Sequence, residues 1–314
     1  MAAEGTLGDA DATRRAFADA EHVVELDLRN NRLIPTAMEP RAALARPEAG
    51  RLRVDMTTQT PHGHRSDLAA TLGLAESDVR VVAPDVGGGF GHKGHHYPGE
   101  ATAAWAALRL DRPVKWVATR TENAQAGAHG RDHATTAALA FDGDGTLRGL
   151  RVETDAGLGG YGLGSAPVIP TWYGRLLAGQ YDLPAIHCRT RTVFTNTAPV
   201  HTYRGAGRPE AIYVLERLVK RAADEVGMDP VALRRRNLLD PDAFPVETVV
   251  GATYDSGAYE PAMDRALDAI DYDRARDRDE RADGRLVGVG VANFVESTGS
   301  GFESGLVRVH PDGS

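Results

Sequence analysis

The chain has 314 residues with a net charge of −8 and one cysteine, a length that buries a full core and predicts two domains or subdomains. The negative charge argues against a nucleic-acid surface, and the lone Cys188 excludes an intrachain disulfide, an all-cysteine zinc site and an iron–sulfur cluster held by this chain alone. No apolar run approaches the length of a membrane span and the acidic N-terminus lacks the apolar centre of a secretory signal, so the sequence predicts a cytoplasmic protein without a membrane span.

The first half of the sequence predicts alternating helices and strands. The segment TRRAFADAE at 13–21 is typical of a short helix, and the alternation from His22 to Leu28 predicts a strand. A loop is expected over 30–45. The further expected elements are a strand over 51–59, a helix from Ser66 to Leu72 ended by Gly73, a strand over 78–85, a helix from Glu100 to Leu110 and a buried strand over 113–119.

The second half predicts a hairpin, a second glycine loop and a run of helices. Asp144-Gly145 is a turn signal between two strands within 136–154, and 155–167 is expected to be irregular. The further expected elements are a strand over 188–196, a helix from Pro209 ended by Gly227, a helix over 231–239 capped by Asp229, a charged helix and linker over 259–282, and a strand over 286–297. Together these elements predict a mixed α+β fold.

The last ten residues, 305–314, read as one hairpin strand followed by its turn. A hairpin strand that stops at its turn leaves an unpaired edge and is not stable by itself. The sequence therefore predicts a chain that is cut short or completed by another polypeptide.

The segment VGGGFGHKG at 86–94 is the most informative motif, because four glycines surround Phe90. Glycine costs conformational entropy, so this density indicates backbone that comes close to a planar or bulky ligand with its amides free. The loop does not match a phosphate-binding loop, since Gly94 rather than Ser or Thr follows Lys93, and its glycine spacing differs from the dinucleotide fingerprint. A structural tight turn explains one or two glycines but not four.

A second glycine loop, from Thr202 to Arg208, leads directly into a predicted helix. The amides and positive dipole at a helix N-terminus suit oxyanions or oxo ligands. Arg204 offers two parallel donors to an anion. An ordinary strand-to-helix turn is the alternative for this loop if it stood alone.

A cluster of histidines, His92, His95 and His96, makes a His-dependent metallohydrolase the alternative from another enzyme class. None of the histidines forms an HExxH motif and no cysteine accompanies them, which disfavours zinc. Asp85 and Glu100 are candidate bases beside the first loop, although a solvated role is favoured for both.

Six motifs in one order resemble the large, molybdenum-binding subunit of the xanthine dehydrogenase/aldehyde oxidase family, including its carbon monoxide dehydrogenase-like branch. The resemblance runs from about residue 22 to the end of the chain. The motifs are MEPRAALA at 38–45, TTQTPHG at 57–63, VGGGFGHKG at 86–94, RPVKW at 112–116, HTYRGAGRPEA at 201–211 and DPVALRRRNLL at 229–239.

The resemblance implies a molybdenum hydroxylase that inserts water-derived oxygen into a substrate C–H bond. Its cofactor would be a molybdenum-pterin, in the simple or the dinucleotide form. Electrons would leave through [2Fe–2S] clusters and FAD, which the resemblance assigns to a small [2Fe–2S] subunit and a medium FAD-binding subunit. The single cysteine agrees with clusters held by partner chains.

By motif, the resemblance assigns cofactor binding to residues of both glycine loops and of the TTQTPHG motif. These residues are Gln59, Gly89, Phe90, Gly91, Arg204 and Gly205. Gln59 would hydrogen-bond an oxo ligand. Phe90 and its two flanking glycines would pack and donate amides at the molybdenum face, and Arg204 would act near the metal. No residue of this chain is expected to ligate the metal directly.

Two departures from the family pattern bear on the substrate. Carbon monoxide dehydrogenases carry a copper-binding cysteine in the second loop, where this chain has Gly205. Xanthine dehydrogenases carry a glutamate after the first loop's lysine and an aromatic residue in the second loop, where this chain has Gly94 and Ala206. Gly94 and Ala206 are therefore the expected substrate-pocket residues, and the expected substrate is an aldehyde or an N-heterocycle.

The resemblance also implies that parts of the family's large subunit lie outside this sequence at both ends. Those parts include the catalytic glutamate, so no catalytic base is assigned here. The expected domains are an extension or linker over 1–21, a first cofactor-binding domain over 22–258, and a linker with the start of a second such domain over 259–314. The rest of the large subunit is an expected partner, and a remnant domain without cofactor is the non-enzymatic alternative.

Overall fold

The computed structural model describes residues 1–276, 284–296, 305 and 307–313. The strands are β1 (Ala3–Gly8), β2 (His22–Asn30), β3 (Ala42–Glu48), β4 (Arg51–Met56), β5 (Val79–Val82), β6 (Val114–Val117), β7 (His133–Phe141), β8 (Leu147–Gly157), β9 (Ile186–Val193), β10 (Val246–Glu247) and β11 (Thr253–Tyr254). The helices are α1 (Ala10–Asp19), α2 (Pro61–Leu72), α3 (Pro98–Leu110), α4 (Arg120–Ala126), α5 (Ile169–Trp172), α6 (Arg208–Glu225), α7 (Pro230–Asn237), α8 (Tyr259–Ile270) and α9 (Tyr272–Arg276). The predicted mixture of helices and strands is confirmed.

A five-stranded sheet carries the larger hydrophobic core. Its strand order is β1-β9-β8-β7-β2, with β8 and β9 parallel and the other neighbours antiparallel. Helix α6 packs on one face because its apolar side chains repeat at helical spacing, and Leu215 and Leu218 are buried against Leu139 and Leu150 of the sheet. Helix α1 packs on the opposite face against β8 and β9.

A four-stranded sheet of order β5-β4-β3-β6 carries a second, separate core. Inward side chains of β4, among them Val54 and Met56, pack against Leu68 of α2 and Ala104 of α3. Gly73 ends α2 in the left-handed conformation that glycine adopts readily, with φ of +69°. Strand β5 leads into the first glycine loop, and the second glycine loop leads into α6. The two loops therefore belong to different cores.

Two sequence predictions in the four-stranded sheet were wrong. Residues 42–45 were expected in a loop, but they form the start of β3, where Ala43 and Ala45 are buried and the strand pairs with both β4 and β6. The strand over 113–119 was expected to be buried. It is β6, an edge strand that pairs only with β3, and Val117 is 49% exposed.

Strand β1 was not predicted, because AEGTLG carries only a weak strand signal; it pairs antiparallel with β9. The strand expected over 286–297 is wrong for the described residues 286–296, which pair with no described strand. The final segment forms its expected turn, with Gly313 N donating to His310 O at 2.9 Å, but residues 307–310 form no strand. Residues 277–282, 297, 306 and 314 of these predictions lie outside the described residues.

The other predicted elements are confirmed to within three residues at their ends, except that α2 begins at Pro61, five residues before the expected start at Ser66. The β7–β8 hairpin turns where Gly145 has φ of +86°. The side chain of Asp229 caps α7 by accepting hydrogen bonds from the amides of Val231 and Ala232. No helix in the described parts of the chain is long and apolar enough to cross a bilayer.

Candidate functional site

The first glycine loop turns back on itself around Phe90. Gly88, Phe90 and Gly91 all have positive φ, at 93°, 56° and 94°. A Cβ on Gly89 would lie 2.4 Å from Oε1 of Gln59, and one on Gly91 would lie 2.6 Å from the carbonyl oxygen of Thr202. Gly89 and Gly91 are therefore required by the close approach of other protein atoms, whereas the sequence predicts the close approach of a ligand. The Phe90 ring remains 40% exposed.

Gln59, which follows β4, braces this loop with one end of its side chain. Its Oε1 accepts hydrogen bonds from Gly91 N at 2.9 Å and from Lys93 N at 3.2 Å. Its Nε2 donates no hydrogen bond to the described residues, and the residue is exposed. The expectation that Gly91 donates its amide to a ligand needs correction, since that amide already donates to Gln59. The amides of Gly89 and Phe90 donate no hydrogen bond within the described chain.

Lys93 and Glu39 hold the first glycine loop in place through an ion pair and a hydrogen bond to the loop backbone, a role that sequence reasoning missed. The Lys93 side chain is fully buried, and its Nζ lies 2.8 Å from Oε2 of Glu39. The same oxygen accepts a hydrogen bond from Gly87 N at 2.7 Å. Burial opposes ionisation, but these hydrogen bonds lower the pKa of Glu39. Lys93 thus faces the protein rather than a phosphate, and the MEPRAALA motif was the available signal for Glu39.

The second glycine loop meets the first one directly. Arg204 N donates a hydrogen bond to Phe90 O at 3.0 Å, and the Arg204 guanidinium lies 5.8 Å from the centroid of the Phe90 ring. The guanidinium is exposed and forms no ion pair with the described residues. Gly205, with φ of +88°, also leaves its amide without a hydrogen bond to the described residues. The structure thus brings Gln59, Phe90 and Arg204 together.

Gly94 and Ala206, the expected substrate-pocket residues, lie in the same two loops. Gly94 N donates to Gly91 O at 3.4 Å, and a Cβ on Gly94 would have only Cγ2 of Thr60 near it, at 4.0 Å. A side chain would therefore fit at position 94. Ala206 is half-buried, and its amide donates to Tyr203 O at 2.9 Å.

The second loop also rests on a buried ion pair that sequence reasoning missed. Arg131 and Glu210 lie 3.4 Å apart, and each side chain is only 6% exposed. Arg131 lies more than seventy residues before the loop in the sequence, and no motif connects the two.

The candidate histidines do not converge on a common point. His92 is buried against Ala128 O at 3.0 Å, whereas His96 contacts Thr71 at 3.1 Å. His95 instead contacts His201, with ring centroids 3.8 Å apart and the ring planes tilted by 51°. The described residues contain no group of three histidine, cysteine, aspartate or glutamate side chains that could hold a metal ion.

Of the two candidate bases, Asp85 is exposed as expected, but the solvated role expected for Glu100 is wrong. Glu100 is buried and its Oε2 lies 3.1 Å from Nη1 of Arg41. Burial raises the pKa of Glu100 although Arg41 opposes the shift. The Glu100 carboxyl group therefore pairs with Arg41 in the interior of the four-stranded unit.

Comparison with known proteins gives one consistent result. Residues 2–238 match the family described as "Molybdopterin cofactor-binding domain". The chain is 37% identical to the carbon monoxide dehydrogenase large chain of Hydrogenophaga pseudoflava over 98% of its length and 41% of that protein. It is 35% identical to the 6-hydroxypseudooxynicotine dehydrogenase complex subunit gamma of Paenarthrobacter nicotinovorans over 96% of its length and 39% of that protein.

Among solved structures, quinoline 2-oxidoreductase from Pseudomonas putida 86 superimposes with a TM-score of 0.83 at 29% identity. The match covers 88% of this chain and 36% of that one. The chain spans about two fifths of the length of the curated relatives it matches.

Proposed function

The chain belongs to the molybdopterin cofactor-binding domain family of molybdenum hydroxylase large subunits, and from this premise we propose that its two glycine loops hold a molybdenum-pterin cofactor. The whole enzyme would hydroxylate an aldehyde or an N-heterocycle with water-derived oxygen. It would act in the cytoplasm as a complex in which [2Fe–2S] and FAD subunits accept the electrons.

The observation that carries the proposal is a set of unused hydrogen-bond donors where the two glycine loops meet. Gln59 Nε2 and the amides of Gly89, Phe90 and Gly205 donate to no described residue, although the same loops satisfy most of their other amides. Oxo and phosphate oxygens are acceptors that match such donors. The exposed guanidinium of Arg204 adds a positive charge beside them. The donor set therefore fits the cofactor.

In this arrangement each residue has a separate task. Gln59 would donate from Nε2 to an oxo ligand while its Oε1 keeps the first loop in place. Phe90 would present its exposed ring to the cofactor. The amides at positions 89 and 90 would replace the hydrogen bonds to water that the cofactor oxygens lose on binding. Arg204 and the Gly205 amide would donate from the second loop. When bound, the cofactor would supply the redox chemistry that oxidises the substrate C–H bond.

The residues at positions 94, 205 and 206 of the two glycine loops support an aldehyde or an N-heterocycle as the substrate. Gly205 has no thiol for copper, and Gly94 and Ala206 supply neither a carboxylate nor an aromatic ring for a purine. An aldehyde or a flat N-heterocycle needs none of these groups. Quinoline 2-oxidoreductase, which shares this fold, is named for an N-heterocyclic substrate.

The test is to express the chain together with the polypeptides encoded beside it, purify the complex, and measure molybdenum, zinc and pterin per chain. Activity is then assayed with quinoline, benzaldehyde, xanthine and carbon monoxide in water labelled with heavy oxygen. We expect molybdenum with pterin, and label in the product of quinoline or benzaldehyde. Zinc with hydrolytic turnover would establish the metallohydrolase instead. Neither metal nor pterin under any condition would leave a folded domain without cofactor.

A further inference from the structure

Arg131 lies beneath the second glycine loop in an unusual backbone conformation. It follows α4 and precedes β7, and both Arg131 and Asp132 have positive φ, at 65° and 72°. Two consecutive residues other than glycine in this region are uncommon, and such conformations persist only where the surroundings enforce them.

The enforcing contacts come from two residues, Arg32 and Gly157. Arg32 Nη2 lies 2.5 Å from Oδ2 of Asp132, and Arg32 Nη1 donates to Ala198 O at 2.6 Å. Gly157 N donates to Asp132 O at 2.9 Å, and a Cβ on Gly157 would lie 2.3 Å from the Asp132 carboxylate. The main chain at Arg131 is therefore held in the turn that sends its side chain toward the second loop.

The Arg131 guanidinium binds two successive carbonyl groups of that loop. Nη1 donates to Tyr203 O at 2.8 Å, and Nη2 donates to Arg204 O at 2.9 Å. Glu210 balances the buried charge through Oε1, and its Oε2 accepts a hydrogen bond from Gly207 N at 2.9 Å. The forked guanidinium suits this task because its donors are coplanar and fixed in direction.

Peptide planarity turns these two contacts into a directional constraint. In a trans peptide the C=O and the N–H point to opposite sides. Because the Arg204 carbonyl faces Arg131, the Gly205 N–H of the same peptide faces away, and it donates to no described residue. In the preceding peptide the Tyr203 carbonyl faces Arg131 and the Arg204 N–H donates to Phe90 O.

We propose that Arg131 is a positioning residue that aims the Gly205 amide at an oxo or phosphate oxygen of the cofactor. The inference rests on the proposed function. The cation also polarises the Arg204–Gly205 peptide, because a carbonyl that accepts from a charged donor strengthens the N–H of its own peptide. Arg131 thus acts on the ligand only through the loop backbone.

The test compares two buried arginine–glutamate pairs that both include a residue of α6. The test variant is Arg131→Met with Glu210→Gln, which removes both charges together. The control is Arg234→Met with Glu216→Gln, because that pair is equally buried, with side chains 1% and 7% exposed, and joins α6 to α7. Arg131→Lys keeps the charge and loses the fork.

Two quantities are measured. The first is hydrogen exchange of the Arg204 amide in the full chain without cofactor, and the second is the rate at which the purified complex releases molybdenum. Removal of a hydrogen bond to a charged group changes an equilibrium about tenfold or more. We expect both quantities to rise at least about tenfold in the test variant, by less in Arg131→Lys, and not in the control.

The outcomes separate this inference from the proposed function. Equal exchange and equal molybdenum release in the test and control variants would overturn it. Faster exchange with unchanged molybdenum release would also overturn it, because the loop would then move without affecting a ligand. A wild-type complex without molybdenum would overturn the proposed function and with it the cofactor as the target, while the exchange measurement would still decide whether Arg131 orients the loop.

Discussion

Gly91 and Gly94 lie three residues apart in the first loop but differ in the space around them. Gly91 has φ of +94° and would place a Cβ 2.6 Å from a backbone oxygen, whereas Gly94 has open space. The left-handed conformation costs a residue with a side chain about 1–2 kcal/mol, and the clash adds to it. Gly91→Ala should therefore lower the free energy of unfolding by at least about 1–2 kcal/mol in urea titrations.

Gly94→Ala is the matched control for that prediction, and its free energy of unfolding should stay within about 0.5 kcal/mol of wild type. Equal losses in the two variants would show that the loop is not held against Thr202 as described.

The contact between His95 and His201 predicts loss of stability in acid. Burial, with repulsion from His201, lowers the pKa of His95 to about 3, and burial lowers the pKa of His201 to about 4. Both values lie below the ordinary 6.5, so the unfolded chain binds protons that the folded chain does not as pH falls from 6.5 toward these values. Stability should therefore fall over that range.

Urea titrations at a series of pH values test this, with His95→Gln expected to flatten the decline. The exposed His62, changed to Gln, should leave the profile as it is. An unchanged slope in His95→Gln would contradict the assignment.

Sequence reasoning found the loop residues and missed their supports for a physical reason. Glycine density around Phe90 is local and visible in the sequence, and so is Arg204 before a helix. Arg131 lies seventy-two residues before Tyr203 in the sequence. Its role depends on a backbone turn that no local pattern specifies. The unused amide at Gly205 is likewise a property of the folded loop.

At the scale of elements, Arg41 and Glu100 join the start of β3 to α3. Arg41 Nη1 donates to both oxygens of Glu100, and its Nε has no partner within the described residues. Removal of one member of a buried pair leaves an uncompensated charge, which costs about 3–5 kcal/mol. Glu100→Gln should lower the free energy of unfolding by about this amount in urea titrations.

The exposed pair of Arg221 and Glu225, one turn apart on α6, supplies the comparison. Glu225→Gln should cost no more than about 0.5 kcal/mol, because solvent screens such pairs. A cost at Glu100 as small as that at Glu225 would mean that the Arg41 charge finds water in the folded protein.

The element predictions succeeded where a pattern is local and failed where a neighbour decides. The apolar spacing of α6, Gly73 after α2 and the Asp144-Gly145 turn each specify structure within a few residues. Strand β3 begins in alanines that carry little strand preference and forms because β4 and β6 flank it. The exposure of β6 follows from its place at the sheet edge.

At the scale of the whole molecule, two cores meet at the glycine loops. The three tryptophans and the single cysteine separate them experimentally: Trp105 and Trp116 belong to the four-stranded unit, while Trp172 and Cys188 belong to the five-stranded unit. In a Trp172→Phe background, the fluorescence of Trp105 and Trp116 reports unfolding of the four-stranded unit. Trapping of the buried Cys188 thiol reports unfolding of the five-stranded unit.

Leu68→Ala in this background removes a fully buried side chain from the smaller core. Such a change costs about 2–5 kcal/mol. Because the larger core does not contact Leu68, the fluorescence transition in urea should move to lower concentration more than the thiol-trapping transition does. Equal shifts would show that the two cores unfold as one cooperative unit.

The central claim is that both loops together bind the molybdenum-pterin cofactor, and the most direct test is an anomalous-scattering map of the crystallised complex at the molybdenum absorption edge. We expect one molybdenum peak per chain beside Gln59, Phe90 and Arg204, where the two glycine loops meet. A molybdenum peak elsewhere, with no density between the loops, would contradict it.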